Sequence, residues 1–115
     1  MNEWVAPRGP FALHTARDAD YTLTASDAFG MVCFSSAAGN SFIVPLPAEI
    51  GFRVSNPTTQ GTPVAFRVLP GSAPIHLVGA AGVTINPPIG RPDPLFRAGD
   101  GARLVPIASD TWICV

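Results

Sequence analysis

The chain of 115 residues contains no lysine and has few charged residues of any kind. Seven arginines and eight acidic residues make up 13% of the sequence and leave a net charge of −1. Soluble proteins usually carry about 25% charged residues. Because a small domain exposes much of its surface, the low charge indicates that part of this surface is covered, most simply by other copies of the chain.

The sequence also lacks the features of several function classes. It has no uninterrupted apolar run of about 18 residues, which excludes a membrane-spanning helix. The arginines are spread along the chain, so no basic patch predicts nucleic-acid binding. The first residues, MNEWVAPRGP, have neither the basic region nor the apolar region of a signal peptide. We therefore expect no membrane partner and no nucleic-acid partner.

Cysteine is scarce, and the residue clusters that catalysis requires are missing. Cys33 and Cys114 stand alone in apolar runs, which favours two buried thiols over a disulfide and does not fit a metal site. His14 lies near the N-terminus, and alternation places His76 on the opposite side of its strand from Ile75 and Leu77; a lone histidine of this kind is more often a solvated or interface residue than a general base. The glycine-rich stretches match no phosphate-binding motif. We therefore predict that the chain is not an enzyme and holds neither a cofactor nor a metal ion.

Proline and glycine, in contrast, are abundant. Thirteen prolines and eleven glycines leave no window long enough for a helical pattern of apolar residues. The short runs between them predict strands at 21–25, 30–35, 41–46, 52–54, 66–68, 74–78, 82–86, 102–107 and 111–115. About eight or nine short strands separated by turns indicate an all-β fold, either an antiparallel β-sandwich or a partly open barrel. The proline-rich stretch 86–96 is predicted to be a surface loop rather than a strand.

Residues 1–19 differ from the rest and are predicted to form an extended N-terminal arm on a single β-domain, residues 20–115. The arm shows no strand alternation but contains several large apolar side chains. A frayed terminus seldom contains so many, so we expect the arm to dock on its own domain or on a neighbour. The residues expected to make shell or intersubunit contacts are Trp4, Val5, Pro7, Phe11 and Leu13.

The tripeptide Phe-Arg-Val occurs twice, at residues 52–54 and 66–68, on either side of a run of turn residues. A hairpin centred on Gln60 would pair Arg53 with Arg67 and bury the flanking side chains. Like charges opposite each other destabilise a sheet, unless a partner surface offers carboxylates, carbonyl oxygens or phosphates. Either the two arginines extend into solvent, or they contact the next subunit or a larger particle.

A glycan-binding site is an alternative, because such a site needs only an exposed aromatic side chain and a few polar groups. Trp4 and Trp112 are the candidate stacking platforms. Trp112, however, lies where a turn enters the last predicted strand, and core packing is the commoner fate of such a residue.

The order of several phrases between residue 20 and the C-terminus resembles a β-module of tailed-bacteriophage virion proteins. The phrases are YTLTASDAFG, VPLPAEI, GFRV, GAAGVTIN and ARLVPIASDTWICV. Modules of this kind occur in tail fibres, head fibres and capsid decoration proteins. The proline-rich stretch before LFRAGDG is longer than the pattern has it, and Phe29 stands where a plainer turn residue is usual.

The resemblance implies a β-sandwich-like unit that works as a homotrimer on a phage particle and has no catalytic residues. A short module with an apolar arm fits a capsid decoration (cement) protein better than a fibre, which needs a shaft and an attachment region. The implied partners are other copies of the chain and the major capsid protein of the head shell. The implied location is the virion, after assembly in the host cytoplasm. The alternative is a short head or tail appendage that binds host surface glycans.

Overall fold

The computed structural model describes residues 16–86 and 95–115, which form two β-sheets with a shared core. The strands are β1 (Tyr21–Thr22), β2 (Met31–Phe34), β3 (Asn40–Val44), β4 (Val64–Val68), β5 (Ile75–Gly79), β6 (Thr84–Asn86), β7 (Leu95–Phe96), β8 (Gly101–Ala108) and β9 (Thr111–Cys114). Short 3-10 turns at Ala25–Asp27 and Pro47–Ile50 follow β1 and β3. Within the described residues we find no helix of sufficient length and apolarity to cross a membrane.

Successive strands alternate between the two sheets from β1 to β7. Strands β1, β3, β5 and β7 form a four-stranded sheet in that order, and β2, β4, β8, β9 and β6 form a five-stranded sheet. The pairs β1–β3, β2–β4, β3–β5 and β6–β9 are parallel. The pairs β4–β8, β5–β7 and β8–β9 are antiparallel. The all-β expectation is confirmed, and the architecture is sandwich-like rather than a closed barrel.

The prediction of an antiparallel arrangement is wrong, because both sheets are mixed. Two parallel neighbours require a long crossover connection between them. Here the crossover from β1 to β3 contains β2, which lies in the opposite sheet, and β3 does the same for β2 and β4. Apolar alternation along one strand has a period of two whichever way its neighbour runs. The strand pattern therefore could not distinguish the two directions.

The core between the sheets is largely aromatic. Phe42 on β3 lies 5.4 Å from Phe66 on β4, measured between ring centroids, so these two rings connect the sheets. Phe66 in turn makes an edge-to-face contact of 4.8 Å with Phe96 on β7. Such pairs add roughly 0.5–1.5 kcal/mol each beyond the burial of their area. β7 lies inside the stretch predicted to be a loop, and that part of the prediction is wrong.

The predicted hairpin between the two Phe-Arg-Val copies is also wrong. Arg67 lies in β4, whose edges are both occupied, and it is opposite Cys33 of β2 and Gly101 of β8. The first copy forms no strand. Arg53 donates its N–H to Thr62 Oγ1 at 2.9 Å and accepts the Thr62 N–H at 2.9 Å. The two arginines are therefore not cross-strand partners.

A tight turn explains why the first copy does not extend into a ladder. The side-chain oxygen of Asn56 accepts the N–H groups of Thr58 and Thr59, at 2.9 and 2.8 Å, and this closes the turn around Pro57. Proline supplies no N–H to a ladder and favours a turn. Phe52 nevertheless packs in the core, 5.4 Å from the Trp112 ring. Its burial was predicted correctly, although its strand was not.

Candidate interaction surface

The outer face of the five-stranded sheet is the most unusual surface of the described residues. Side chains of a strand alternate between its two faces, and in β2 Val32 and Phe34 are buried whereas Met31 and Cys33 point outward. The same alternation applies to β4, β8 and β9. We call the following residues the outer face: Met31, Cys33, Ala65, Arg67, Thr84, Asn86, Gly101, Arg103, Val105, Ile107, Thr111, Ile113 and Val115.

The pairing of the strands arranges these residues in rows across the sheet. One row contains Met31, Ala65, Arg103 and Val115, on β2, β4, β8 and the end of β9. Another contains the half-buried Cys33 with Arg67 and Gly101. Val105 and Ile113 face each other across β8 and β9.

Large apolar side chains of the outer face are open to solvent. The exposed fraction is 42% for Met31, 41% for Ile107 and 56% for Val115. Isolated exposed apolar residues are ordinary, but here they share one face with further apolar side chains of lower exposure. Several exposed apolar side chains on one face of a sheet are a feature of interaction sites and of surfaces prone to aggregation.

The charged side chains of the outer face have one sign. Arg67 and Arg103 are both exposed, and within the described residues neither forms an ion pair. No aspartate or glutamate side chain among the described residues belongs to the outer face. Burial raises the pKa of the Cys33 thiol, and the positive charge of Arg67 opposes this effect only in part. The thiol is therefore neutral at pH 7, and the net charge of the face is positive.

Phe29 lies two residues before Met31, at the start of β2. Its side chain is 65% exposed, and its φ of 62° is in the left-handed region that residues with a bulky side chain avoid. The Phe29 N–H donates to the Pro63 carbonyl at 2.8 Å, which holds this conformation. Backbone strain of this kind costs ~1–3 kcal/mol and tends to occur at functional positions. An exposed ring that also strains the backbone has no evident benefit to an isolated subunit.

A second candidate site is a shallow cleft of about 280 Å³ that is lined by residues 16–21. The Arg17 guanidinium lies 4.2 Å from the centroid of the Tyr21 ring. Tyr21 Oη donates to Asp27 Oδ2 at 2.7 Å, and burial raises the pKa of this tyrosine. Asp20 accepts the Ser41 N–H at 2.9 Å, which lowers the pKa of its carboxyl group. Most polar groups of the cleft are thus engaged in holding the chain itself.

The structure separates the residues that were predicted to form contacts. Trp4, Val5, Pro7, Phe11 and Leu13 lie outside the described residues, as does His14. Arg53 is exposed in the loop before β4, whereas Arg67 belongs to the outer face. Arg103 was not selected from the sequence, although the alternation of β8 would have placed it beside Val105 and Ile107.

Trp112 is buried, and its Nε1 donates to the Pro45 carbonyl at 3.0 Å, so its predicted place in the core is confirmed. Both cysteines are thiols, Cys114 buried and Cys33 half-buried. His76 is exposed on β5, as its position in the strand predicts.

The described residues bring no group of three or more metal-binding side chains together. Comparison of the chain with protein-family models, with curated proteins and with solved structures finds no match.

Proposed function

We propose that the chain is a structural protein of a bacteriophage particle, a capsid decoration protein that assembles as a homotrimer and stabilises the head shell. The observation that supports this most is the outer face, which combines exposed apolar side chains with two arginines that pair with no acidic side chain of the described residues. Methionine, aromatic residues and arginine are enriched in protein interfaces. The phrases that resemble phage virion modules give the proposal its biological setting.

The proposed mechanism is stabilisation by mass action. A protein that binds the assembled shell but not its separate subunits stabilises the shell by RT ln(1 + [L]/Kd). At a concentration of about 100 times Kd, this amounts to about 2.7 kcal/mol for each site. Three identical contacts on one trimer bind with an avidity well above that of a single contact. Weak contacts of each subunit are therefore sufficient, and no catalytic group is required.

The test has two stages that use the full-length chain. Light scattering at micromolar concentration should give a mass near three times 12.0 kDa. The purified protein is then added to phage head shells that lack it, and the temperature at which the shells disassemble is measured. We expect saturable binding and a higher disassembly temperature. A monomer that leaves the shells unchanged would contradict both parts of the proposal.

A second candidate function, an appendage that binds host surface glycans, draws on the cleft at residues 16–21. The cleft presents an aromatic ring beside carboxylates, and sugar-binding sites use groups of both kinds. Arg17 covers part of the Tyr21 ring, however, and Trp112 is buried. Titration with purified host polysaccharide distinguishes the two functions. Polysaccharide binding that the Tyr21→Ala substitution abolishes would favour the appendage. If the polysaccharide does not bind, the shell protein is the favoured function.

A further inference from the structure

We propose that the outer face of the five-stranded sheet is the docking surface for residues 1–15 of a neighbouring copy of the chain. The inference rests on the proposed homotrimer and names the contact that would hold it together. The proposed occupant is the N-terminal segment of another subunit, and the proposed receiving surface is the outer face.

The described chain begins at the edge of the five-stranded sheet. The Arg17 N–H donates to the Cys33 carbonyl at 2.8 Å, and the Ser35 N–H donates to the Arg17 carbonyl at 2.8 Å. Arg17 therefore lies beside β2, the edge strand of the five-stranded sheet, in a parallel bridge with Phe34. These ladder bonds lie in the plane of the sheet and fix Arg17 at its edge.

The N-terminal segment is long enough to cross the outer face of a neighbouring subunit. Fifteen residues in an extended conformation span up to about 50 Å. Five strands spaced about 4.8 Å apart make a sheet only about 24 Å wide. A segment that starts at the rim of one subunit can therefore reach an adjacent subunit and still cross its outer face.

The side chains of the segment are chemically complementary to those of the outer face. The segment carries large apolar residues, among them Trp4 and Phe11, together with one acidic residue, Glu3, and one basic residue, Arg8. Methionine packs well against aromatic rings, and an arginine stacks on them. The outer face offers exposed apolar side chains to the apolar residues of the segment, and it offers two exposed arginines, one of which can pair with Glu3. A glutamate bonded to a guanidinium forms a charge-assisted pair.

The symmetry of a closed trimer favours a neighbouring copy as the source of the segment. When an arm of one copy binds a different surface of the next copy, the contact is heterologous, and it closes into a ring if the rotation is suitable. In a closed trimer each copy donates one arm and receives one, so every outer face is covered. An arm folded on its own subunit would cover the face but would join nothing. The neighbouring copy is therefore the occupant that agrees with the proposed assembly.

The native Cys33 makes the contact testable by disulfide trapping. The donor chain carries Cys33→Ala and one new cysteine in the segment, in separate variants Asn2→Cys, Ala6→Cys and Ala12→Cys. The acceptor is the wild-type chain with a tag that changes its mass. The two are mixed and left to exchange subunits, then oxidised at alkaline pH because burial raises the pKa of the Cys33 thiol. The matched control is an acceptor that carries Cys33→Ala and keeps the buried Cys114.

We expect at least one donor to form a disulfide with the acceptor at least about tenfold faster than with the control, because docking raises the effective concentration of the thiols. A trimer in which no donor reacts with Cys33 would overturn the docking surface but leave the homotrimer. Restoring Cys33 in the donor and diluting it until it is monomeric tests docking within one chain, and a disulfide there would overturn the neighbouring occupant. A monomer at micromolar concentration would overturn the homotrimer and this inference together.

Discussion

The two sheets share one core but differ in the faces that they turn outward. On the four-stranded sheet, Thr22 lies in a row with Ile43 and Val78, and Ser41 lies in a row with His76 and Leu95. Polar and apolar side chains are thus mixed there, as on an ordinary solvated sheet. On the five-stranded sheet the uncharged polar side chains Thr84, Asn86 and Thr111 lie on β6 and β9 at one edge, and the rest of the outer face carries apolar side chains and two arginines. The difference indicates that solvent covers one face, and we propose that protein covers the other.

A carboxylate placed on each face in turn gives the strongest test of the proposed difference between the two sheets. Val115→Glu, on the outer face, should raise the dissociation constant of the trimer by at least about 100-fold, since desolvating a carboxylate in an interface costs several kcal/mol, which Arg103 in the same row offsets only in part. Val78→Glu, on the four-stranded sheet, is the matched control. It exchanges the same residue type at a 39% exposed position. Analytical ultracentrifugation over a dilution series measures both. Equal losses would mean that the two faces do not differ in function.

A smaller effect is expected from the arginines. Replacing both Arg67 and Arg103 with alanine should weaken self-association or shell binding about tenfold, and more at low salt, because charges in an interface act partly through long-range attraction. Arg53→Ala is the control, since Arg53 lies in the loop before β4. Affinities are measured at two salt concentrations. If Arg53→Ala is the more damaging change, the contact surface includes that loop rather than the outer face.

Phe29 permits a sharper test, because the expected effects on stability and assembly have opposite signs. Phe29→Gly should stabilise the monomer by about 1 kcal/mol, since glycine adopts a positive φ without steric cost. It should also weaken the trimer, because the exposed ring is removed. Urea denaturation of a monomeric Val115→Glu background measures the first effect, and ultracentrifugation measures the second. Phe29→Ala keeps the strain and should destabilise slightly or not at all. A glycine variant that is less stable than the alanine variant would contradict the assignment of strain.

The smallest expected effect concerns the edge of the four-stranded sheet. Hydrogen bonds from the Ser41 N–H and the Asn40 amide lower the pKa of Asp20 below its ordinary value of 3.8. A carboxyl group whose pKa is depressed in the folded state adds stability above its unfolded pKa, and this is lost as pH falls through the folded pKa. The wild type should therefore lose more stability below about pH 4 than Asp20→Asn. Thermal unfolding between pH 6 and pH 3 tests this, and parallel curves would contradict it.

Local pattern was enough to predict that the fold is all-β and that Trp112, Phe52 and Phe66 are buried. It could not predict the partners of a strand. The two Phe-Arg-Val copies are identical, yet only the second pairs on both sides, because the first is followed closely by the turn at Asn56. The alternation of β8 also predicts that Arg103 lies on the outer face, on the same side as Val105 and Ile107. The strain at Phe29 has no sequence signal other than a large residue where a turn residue is usual.

The alternation of strands between the sheets has a kinetic consequence. Among the described strands, β8 and β9 alone are both neighbours in the chain and partners in a sheet, and a two-residue turn joins them. Every other pairing brings together segments that are far apart in the sequence. Proteins dominated by such contacts fold slowly, in milliseconds to seconds, because loop closure precedes the gain from pairing. Because the β8–β9 hairpin needs only a short loop to close, we expect it to form before the other pairings of the described strands.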